Sequence, residues 1–255
     1  MGESAPYDDF SWTDGICLSC KAEIKSKKVI DLSAMNHKIE FFRDLRIKAF
    51  KGEIINHIAM LKQAEQLHIQ PGDVLIGVLQ PILCEIGNLF EQGKISTIEE
   101  HRFSILAEKV LSHFEEKYLQ ALATSNPCVI LASADQNYHT IGVRILSLLL
   151  MAEGIRVMSI VPSVPAQDLA RLCEETNPKV LGISIFAESQ IDYVNSVLKL
   201  LSKNRPDLIT VGGYYFKDKV IELDQNIYVP NPRDIKEVVS RFKSVCVTPA
   251  NNKLA

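Results

Sequence analysis

The chain has 255 residues, enough for one large domain or two modest ones. Hydrophobic residues make up 47% of it and charged residues 23%, as in an ordinary globular protein. The formal net charge of -3 argues against a generally basic surface, so direct nucleic-acid binding is not expected. The acidic, polar start and the short longest apolar run (residues 145–151) predict a cytoplasmic protein without signal peptide or membrane segment. Its six cysteines do not suggest a disulfide scaffold.

The first half of the chain is predicted to be helical. Residues 1–32 show little periodicity and are interpreted as a leader, and residues 33–125 follow as a helical domain. Apolar residues spaced for one helical face predict four helices, at residues 36–51, 53–68, 74–92 and 96–124. Pro81 is expected to kink the third helix, and Ser96 with Glu99 forms a capping box before the fourth. Short connections between four helices predict a small bundle.

From residue 126 onwards short apolar strands alternate with helical segments. The predicted strands are residues 128–132, 156–161, 179–186, 208–211 and 226–229. The predicted helices are residues 140–153, 165–175, 192–202 and 234–244. This alternation predicts an α/β domain over residues 126–255, with a doubly wound parallel sheet of the Rossmann-like, flavodoxin-like kind.

Three loops follow strands at the edge where such sheets bind ligands. Their candidate site residues are Asn137, His139 and Gly142 in the first loop, Ser184 and Phe186 in the second, and Gly212 and Gly213 in the third. A metal-bound imidazole usually gives its second nitrogen to a hydrogen-bond partner, which Asn137 offers to His139. Dinucleotide and P-loop signatures are absent from the sequence, so the residues alone indicate a ligand of unknown kind.

Taken in order, these three loops resemble the cobalamin-binding domain family, whose signature is D-x-H-x-x-G, S-x-L and G-G. The resemblance implies a Rossmann-like fold in which His139 is the lower axial ligand to cobalt and Asn137 is its hydrogen-bond partner. It further implies that Ser184 contacts the nucleotide tail of the cofactor and that Gly212 and Gly213 form the floor of the tail cavity. The expected cofactor is adenosylcobalamin or methylcobalamin.

The helical half carries a second resemblance. Phe90, nine intervening residues, and then Glu100 and His101 look like the W-x9-E-H signature of the helical cap in cobalamin-dependent light sensors. There the aromatic residue and the Glu-His pair face the upper side of the corrin. Two positions depart from the family pattern, because Asn137 replaces an aspartate and Phe90 replaces a tryptophan.

The resemblance favours a regulatory cobalamin-binding protein that is not an enzyme. The leader leaves little room for a DNA-binding domain, so the chain resembles the stand-alone antirepressor type of photoreceptor, which acts on a protein partner such as a transcriptional regulator. One alternative is a corrinoid methyl carrier serving a methyltransferase. Another is a relative of the same fold that binds haem or a bilin.

Overall fold

A computed structural model describes residues 32–119, 126–201, 205–216, 227–231 and 234–247. The predicted leader lies outside these residues except for Leu32, where the first helix begins. Internal contacts divide the chain into two units, with the division between Val110 and Leu111. The sequence predicts a different boundary, near residue 125 at the end of the fourth helix, and that boundary stays a prediction.

The first unit is helical, as predicted. Its helices are α1 (Leu32–Phe50), α2 (His57–Gln66), α3 (Pro71–Glu91) and α4 (Thr97–Leu119), the last of which continues into the second unit. Asn56 caps α2 by accepting a hydrogen bond from the backbone of Ala59. The predicted capping box of α4 is confirmed, because Glu99 accepts from the Ser96 backbone at 2.7 Å and Ser96 Oγ accepts from the Glu99 backbone at 3.3 Å.

Helix α3 contains a feature that the sequence did not predict. The six residues Val74–Leu79, just before Gln80 and Pro81, are wound as a π-helix in which the Gln80 amide donates to the Leu75 carbonyl, and the kink at Pro81 stays a prediction. Proline has no amide hydrogen to donate to the carbonyl four residues earlier, and its ring crowds that carbonyl. A π-helical segment before it shifts the backbone hydrogen bonds to partners five residues apart. By length and composition alone α3 could cross a membrane, a test that the core helix of a bundle also passes. Glu85 on α3 pairs with Arg46 on α1, as expected for a helix packed within the first unit.

The second unit contains a five-stranded parallel sheet with the order β2-β1-β3-β4-β5. The strands are β1 (Val129–Ala134), β2 (Val157–Val164), β3 (Val180–Ser184), β4 (Leu208–Gly212) and β5 (Ile227–Tyr228). The longer helices between and after them are α5 (Ile141–Ala152), α6 (Ala166–Thr176), α7 (Ile191–Leu200) and α8 (Ile235–Val247). The predicted α/β class and parallel topology are therefore confirmed.

Helices cover both faces of this sheet. Ile130 and Ala132 of β1 point into the core that α6 and α7 complete, whereas Val129 and Leu131 point into the core that α5 and α8 complete. All six residues of β1 are consequently buried, as expected for a parallel strand covered on both sides. The strand order reverses between β1 and β3, so the ligand site of such a sheet lies at the carboxyl ends of these two strands.

The cysteine count predicts no disulfide scaffold, and it does not reveal the one disulfide that the described residues contain. Cys128 and Cys246 form it, with Cα atoms 6.2 Å apart and 118 positions apart in sequence. A count along the sequence does not reveal that the residue before β1 and the last turn of α8 meet in space. Cys173 is a buried free thiol, and the predicted incidental pair Cys17 and Cys20 lies outside the described residues.

Candidate functional site

Asn137 connects the loop after β1 to the end of β3. Its side chain is 1% exposed, and its Nδ2 donates to the Ser184 carbonyl oxygen at 2.9 Å and lies 3.4 Å from Ser184 Oγ. Its Oδ1 accepts from the backbone amide of His139 at 3.0 Å. A short polar side chain that bonds a backbone amide two residues onward is typical of an Asx turn. Asn137 therefore fixes the backbone from which the His139 side chain projects.

The predicted hydrogen bond from Asn137 to the imidazole is not what this structure shows. Both ends of the carboxamide are already engaged, one with the His139 backbone and one with Ser184. The Asn137 carboxamide bonds these backbone groups because the sheet ends here. The Ser184 carbonyl and the His139 amide therefore lack strand-to-strand hydrogen bonds and need other partners. Asn137 orients His139 through the main chain.

The His139 ring lies in a stack of three aromatic rings from three loops. It stacks on Phe186 with ring centroids 4.0 Å apart and an interplanar angle of 19°. Phe186 in turn stacks on Tyr214, which follows the glycine pair after β4, at 5.6 Å and 23°. Phe186 and Tyr214 are 41% and 40% exposed, so the stack lies at the surface of the second unit. Sequence reasoning found His139 and Phe186 but missed Tyr214, whose only signal was its place directly after the predicted glycine pair.

The glycines at this edge have different structural roles. Gly213 has φ +117°, and a Cβ there would lie 2.3 Å from the Ile185 carbonyl oxygen, so only glycine fits. A Cβ on Gly212 would meet only the Pro230 ring, at 3.5 Å, and one on Gly142 would meet nothing within 4 Å. Gly213 thus allows β4 and β3 to approach closely. The described residues leave open space beside Gly142, whereas a Cβ on Gly212 would make ordinary van der Waals contact with Pro230.

Gln190 joins two of the loops and was missed by sequence reasoning. Its Oε1 accepts from the backbone amides of Phe186 at 2.7 Å and Ala187 at 3.2 Å, and its Nε2 donates to the Asp135 carbonyl at 2.8 Å. The side chain is only 7% exposed. It therefore holds the loop of Phe186 against the loop of His139. No spacing pattern marks this glutamine, because its contacts depend on how the two loops fold.

A serine at the end of β1 adds an available hydrogen-bonding group. Ser133 lies opposite Ser184 in the sheet register, and Ser184 lies opposite Gly212. Ser133 Oγ is fully buried without a hydrogen-bond partner among the described residues. Buried hydroxyls normally have partners, so this one marks a place where a polar ligand group fits. The row of Ser133, Ser184 and Gly212 runs across three strands at the ligand edge.

The side chains at this site suit a metal ion that is already coordinated by an organic cofactor. Among the described residues, no group of three or more His, Cys, Asp or Glu side chains could hold a metal ion. A single imidazole at a surface edge instead fits a metal centred in an organic macrocycle, which needs only an axial ligand from the protein. His139, the open space that the described residues leave beside Gly142, and the Ser133 hydroxyl without a described partner therefore fit a corrinoid.

The predicted residues of the helical part lie on the first unit. Phe90, near the end of α3, is 42% exposed. Glu100 Oε2 lies 2.5 Å from His101 Nδ1, and Glu100 Oε1 accepts from Ser104 Oγ at 2.6 Å. The His101 side chain remains 66% exposed. Glu100 thus orients the ring of an outward-facing histidine on the first turn of α4.

Two family models match the chain, and both describe a B12 binding domain. One matches residues 44–115, in the helical part, and the other matches residues 127–224, in the α/β part. Together these matches cover about two thirds of the chain.

Curated relatives include both regulators and corrinoid proteins. The chain is 28% identical over 140 residues to the HTH-type transcriptional repressor CarH of Myxococcus xanthus, a match that covers 53% of this chain and 45% of the repressor. The chain thus spans less than half of the repressor's length. It is 24% identical over 147 residues to dimethylamine corrinoid protein 2 of Methanosarcina mazei, covering 57% of this chain and 68% of that protein.

A solved structure shows the same fold. The monomethylamine corrinoid protein of Methanosarcina barkeri superimposes with a TM-score of 0.64 at 19% identity, over 79% of this chain and 98% of that one. The two B12-binding matches, the corrinoid relatives and the site geometry agree, and the chain belongs to the cobalamin-binding domain family in which a helical cap precedes a Rossmann-like domain, with cobalamin as its cofactor.

Proposed function

We propose that this chain is a cobalamin-dependent regulatory protein, a light- or ligand-responsive sensor that acts on a protein partner such as a transcriptional regulator. The observation that carries the proposal is the pairing of Glu100 with His101 on the helical unit, with Phe90 exposed on the same unit. These residues stand at the positions of the aromatic-x9-Glu-His signature of cobalamin-dependent light sensors. We further propose that residues 33–125 form the helical cap and that residues 126–255 form the cobalamin-binding domain.

In this proposal the α/β unit holds the lower side of the cofactor. His139 is the axial ligand to cobalt, and Asn137 holds the His139 backbone in place. Ser184 contacts the nucleotide tail, beside which Gly142 leaves open space, and Gly212 and Gly213 form the floor of the tail cavity. Phe186 lines the site beside the imidazole, on which it stacks.

We assign Phe90, Glu100 and His101 of the helical unit to the cofactor as well. When bound, cobalamin would supply light-sensitive or ligand-exchange chemistry at cobalt. Glu100 then keeps the His101 ring oriented through a short hydrogen bond, and Phe90 contributes an apolar surface. A change in what these residues contact would alter the surface offered to a partner. The net charge of -3 fits a protein partner better than nucleic acid.

A second candidate function is a corrinoid methyl carrier that serves a methyltransferase without being an enzyme itself. It is favoured by the match over 68% of dimethylamine corrinoid protein 2. Asn137 counts against it, because the family aspartate tunes cobalt during methyl transfer and an amide carries no charge to do so. The Phe90, Glu100 and His101 set counts against it too, since methyl carriers usually lack this signature.

A lone axial imidazole also suits haem, and a bilin is the remaining alternative for a relative of this fold. Both belong in the same experiment as cobalamin. A chain that took up haem or a bilin and left cobalamin unbound would contradict the proposed function, whatever happened on illumination.

The test is reconstitution in dim light. The full chain is incubated separately with adenosyl-, methyl- and hydroxocobalamin, desalted, and measured by absorbance and size-exclusion chromatography before and after illumination. His139→Ala is compared with His37→Ala, a matched control at an exposed position on α1. We expect bound cobalamin in the wild type and the control, with a visible-band shift that only His139→Ala abolishes.

The outcomes separate the candidate functions. A lasting light-dependent change in spectrum and in oligomeric state, absent from free cofactor, supports the sensor. Cobalamin that binds through His139 but shows only the photochemistry of free cofactor, together with methyl exchange with a corrinoid methyltransferase, supports the carrier.

A further inference from the structure

A cavity of about 410 Å³ lies at the amino ends of the strands, away from the loops that carry His139. It is lined by both members of the disulfide, Cys128 and Cys246, and by Arg156 and Lys179. Both cysteines are partly exposed. The disulfide can therefore be reached from solvent through this cavity, which we call the amino-edge cavity.

Every charged residue that lines the amino-edge cavity is basic. Arg156 Nε donates to the Asn126 carbonyl at 3.0 Å, and Lys179 Nζ lies 3.4 Å from the carbonyl oxygens of Val245 and Cys246. Among the residues that the structure describes, the lining contains no Asp or Glu. Two cations in a described lining without a carboxylate favour an anionic ligand, and cations also favour thiolate over thiol in a reduced cysteine beside them.

The disulfide links the two ends of the α/β unit. Cys128 directly precedes β1, and Cys246 lies in the last turn of α8. Farther back along α8, Phe242 and Val238 are buried against β1 and β3, so the body of the helix is held by its core. Its final turn is held by weaker contacts, because Val245 and Cys246 are only partly buried against the same core and their carbonyl oxygens lie 3.4 Å from Lys179 Nζ. Val247 is 62% exposed. The disulfide is thus the covalent attachment of the end of α8.

We propose that the amino-edge cavity is a thiol–disulfide exchange site that admits small anionic thiols, and that reduction there releases the last turn of α8. The attacking thiolate forms a mixed disulfide with Cys246 and expels the Cys128 thiolate. A second thiol then attacks the mixed disulfide, which releases Cys246 and one oxidised dimer of the small thiol. Two thiols are oxidised for each protein disulfide reduced, and the two cysteine thiolates take protons from water.

The proposal does not depend on the proposed function. All its residues belong to the second unit and lie at the opposite end of the sheet from His139. Cobalamin reconstitution and disulfide reduction can therefore succeed or fail separately.

The experiment uses the full chain with Cys17→Ser, Cys20→Ser and Cys84→Ser substitutions. Cys173 stays, because burial raises its thiol pKa to about 11 and keeps it unreactive near neutral pH. The disulfide is reduced with mercaptoethanesulfonate, which is anionic, or with cysteamine, which is cationic, at equal thiolate concentration. Neutral mercaptoethanol is the reference, and rates come from acid quenching and mass spectrometry.

We expect reduction by the anionic thiol to be about tenfold faster than by the cationic thiol at low salt, with the difference collapsing at high salt. Lys179→Gln and Arg156→Gln should each reduce this preference severalfold. Glu153→Gln is the matched control, because this exposed carboxylate lies beside the cavity without lining it. Equal rates for the two charged thiols, or unpaired cysteines after aerobic purification, would overturn the proposal.

Hydrogen exchange tests the structural consequence. On reduction, or in Cys128→Ser, amides of residues 244–247 should lose protection while those near Val238 and Phe242 keep theirs. Unchanged exchange in the last turn of α8 would show that reduction does not release it.

Discussion

Gly213→Ala tests whether the third loop is built around a position that only glycine can occupy. The added Cβ would lie 2.3 Å from the Ile185 carbonyl oxygen, 2.9 Å from the Ile185 nitrogen and 3.0 Å from Ser184 Oγ. Two of these atoms belong to the backbone of Ile185, the residue after β3, and a backbone cannot move aside as the end of a flexible side chain can. The backbone also has φ +117°, a region that side chains with a Cβ rarely adopt.

Two costs add at this position. Backbone strain at such a φ costs about 1–3 kcal/mol. Forcing a methyl group into a filled space costs about 1–3 kcal/mol more. The sum, about 2–6 kcal/mol, is a large part of the roughly 5–15 kcal/mol that stabilises a typical domain. With a urea slope of about 2 kcal/mol/M, the midpoint of unfolding should fall by about 1–3 M.

Gly212→Ala is the matched control, one residue away on the same strand end. Its φ lies outside the positive region and its Cβ meets only the Pro230 ring at 3.5 Å, so the midpoint should move by less than about 0.5 M. If the proposed tail cavity lies at this glycine, the control should still fold but bind cobalamin at least about tenfold more weakly. Equal stability of the two variants in urea titration would refute the reasoning about Gly213.

Two substitutions and one change of pH test other contacts. Asn137→Asp removes the donor to the Ser184 carbonyl and places a buried charge beside it, so urea unfolding should show a loss of about 2–4 kcal/mol. Gln190→Glu keeps an acceptor for the loop amides but loses the donor to Asp135, and calorimetry should show about 1–3 kcal/mol less stability. Hydrogen bonds from Ser96 lower the pKa of Glu99, so this cap stabilises α4 above the unfolded pKa. NMR should show the first turn of α4 fraying as pH falls through the lowered pKa, and no fraying would contradict the capping role.

Much of the fold could be predicted because its signals are periodic. The apolar run of β1 and the helical spacing before it identified a helical part followed by a parallel sheet. The capping box at Ser96 was local enough to be predicted residue by residue. The π-helical turn before Pro81 was not, because proline shows only that an α-helical hydrogen bond is missing and leaves the chain's response open.

The site could be predicted in part. Loops that follow parallel strands meet at one edge of the sheet, so His139 and Phe186 could be predicted to lie close together. Their ring centroids, 4.0 Å apart, agree with this prediction. Periodicity does not show which donor meets which acceptor. The contacts of Gln190 across two loops and the true partners of Asn137 therefore appeared only in the structure. The same reason applies to the pairing of Cys128 with Cys246 across the α/β unit.

The replacement of the family aspartate by Asn137 changes how the imidazole is held. A carboxylate on the second ring nitrogen raises the basicity of a metal-bound histidine. Here the carboxamide is used by Ser184 and the His139 backbone, and the ring is held by stacking on Phe186. A stacked pair contributes only about 0.5–1.5 kcal/mol and adds no charge. We therefore expect a weaker bond from His139 to cobalt than an aspartate would allow, which suits ligand exchange in a sensor better than repeated methyl transfer in a carrier.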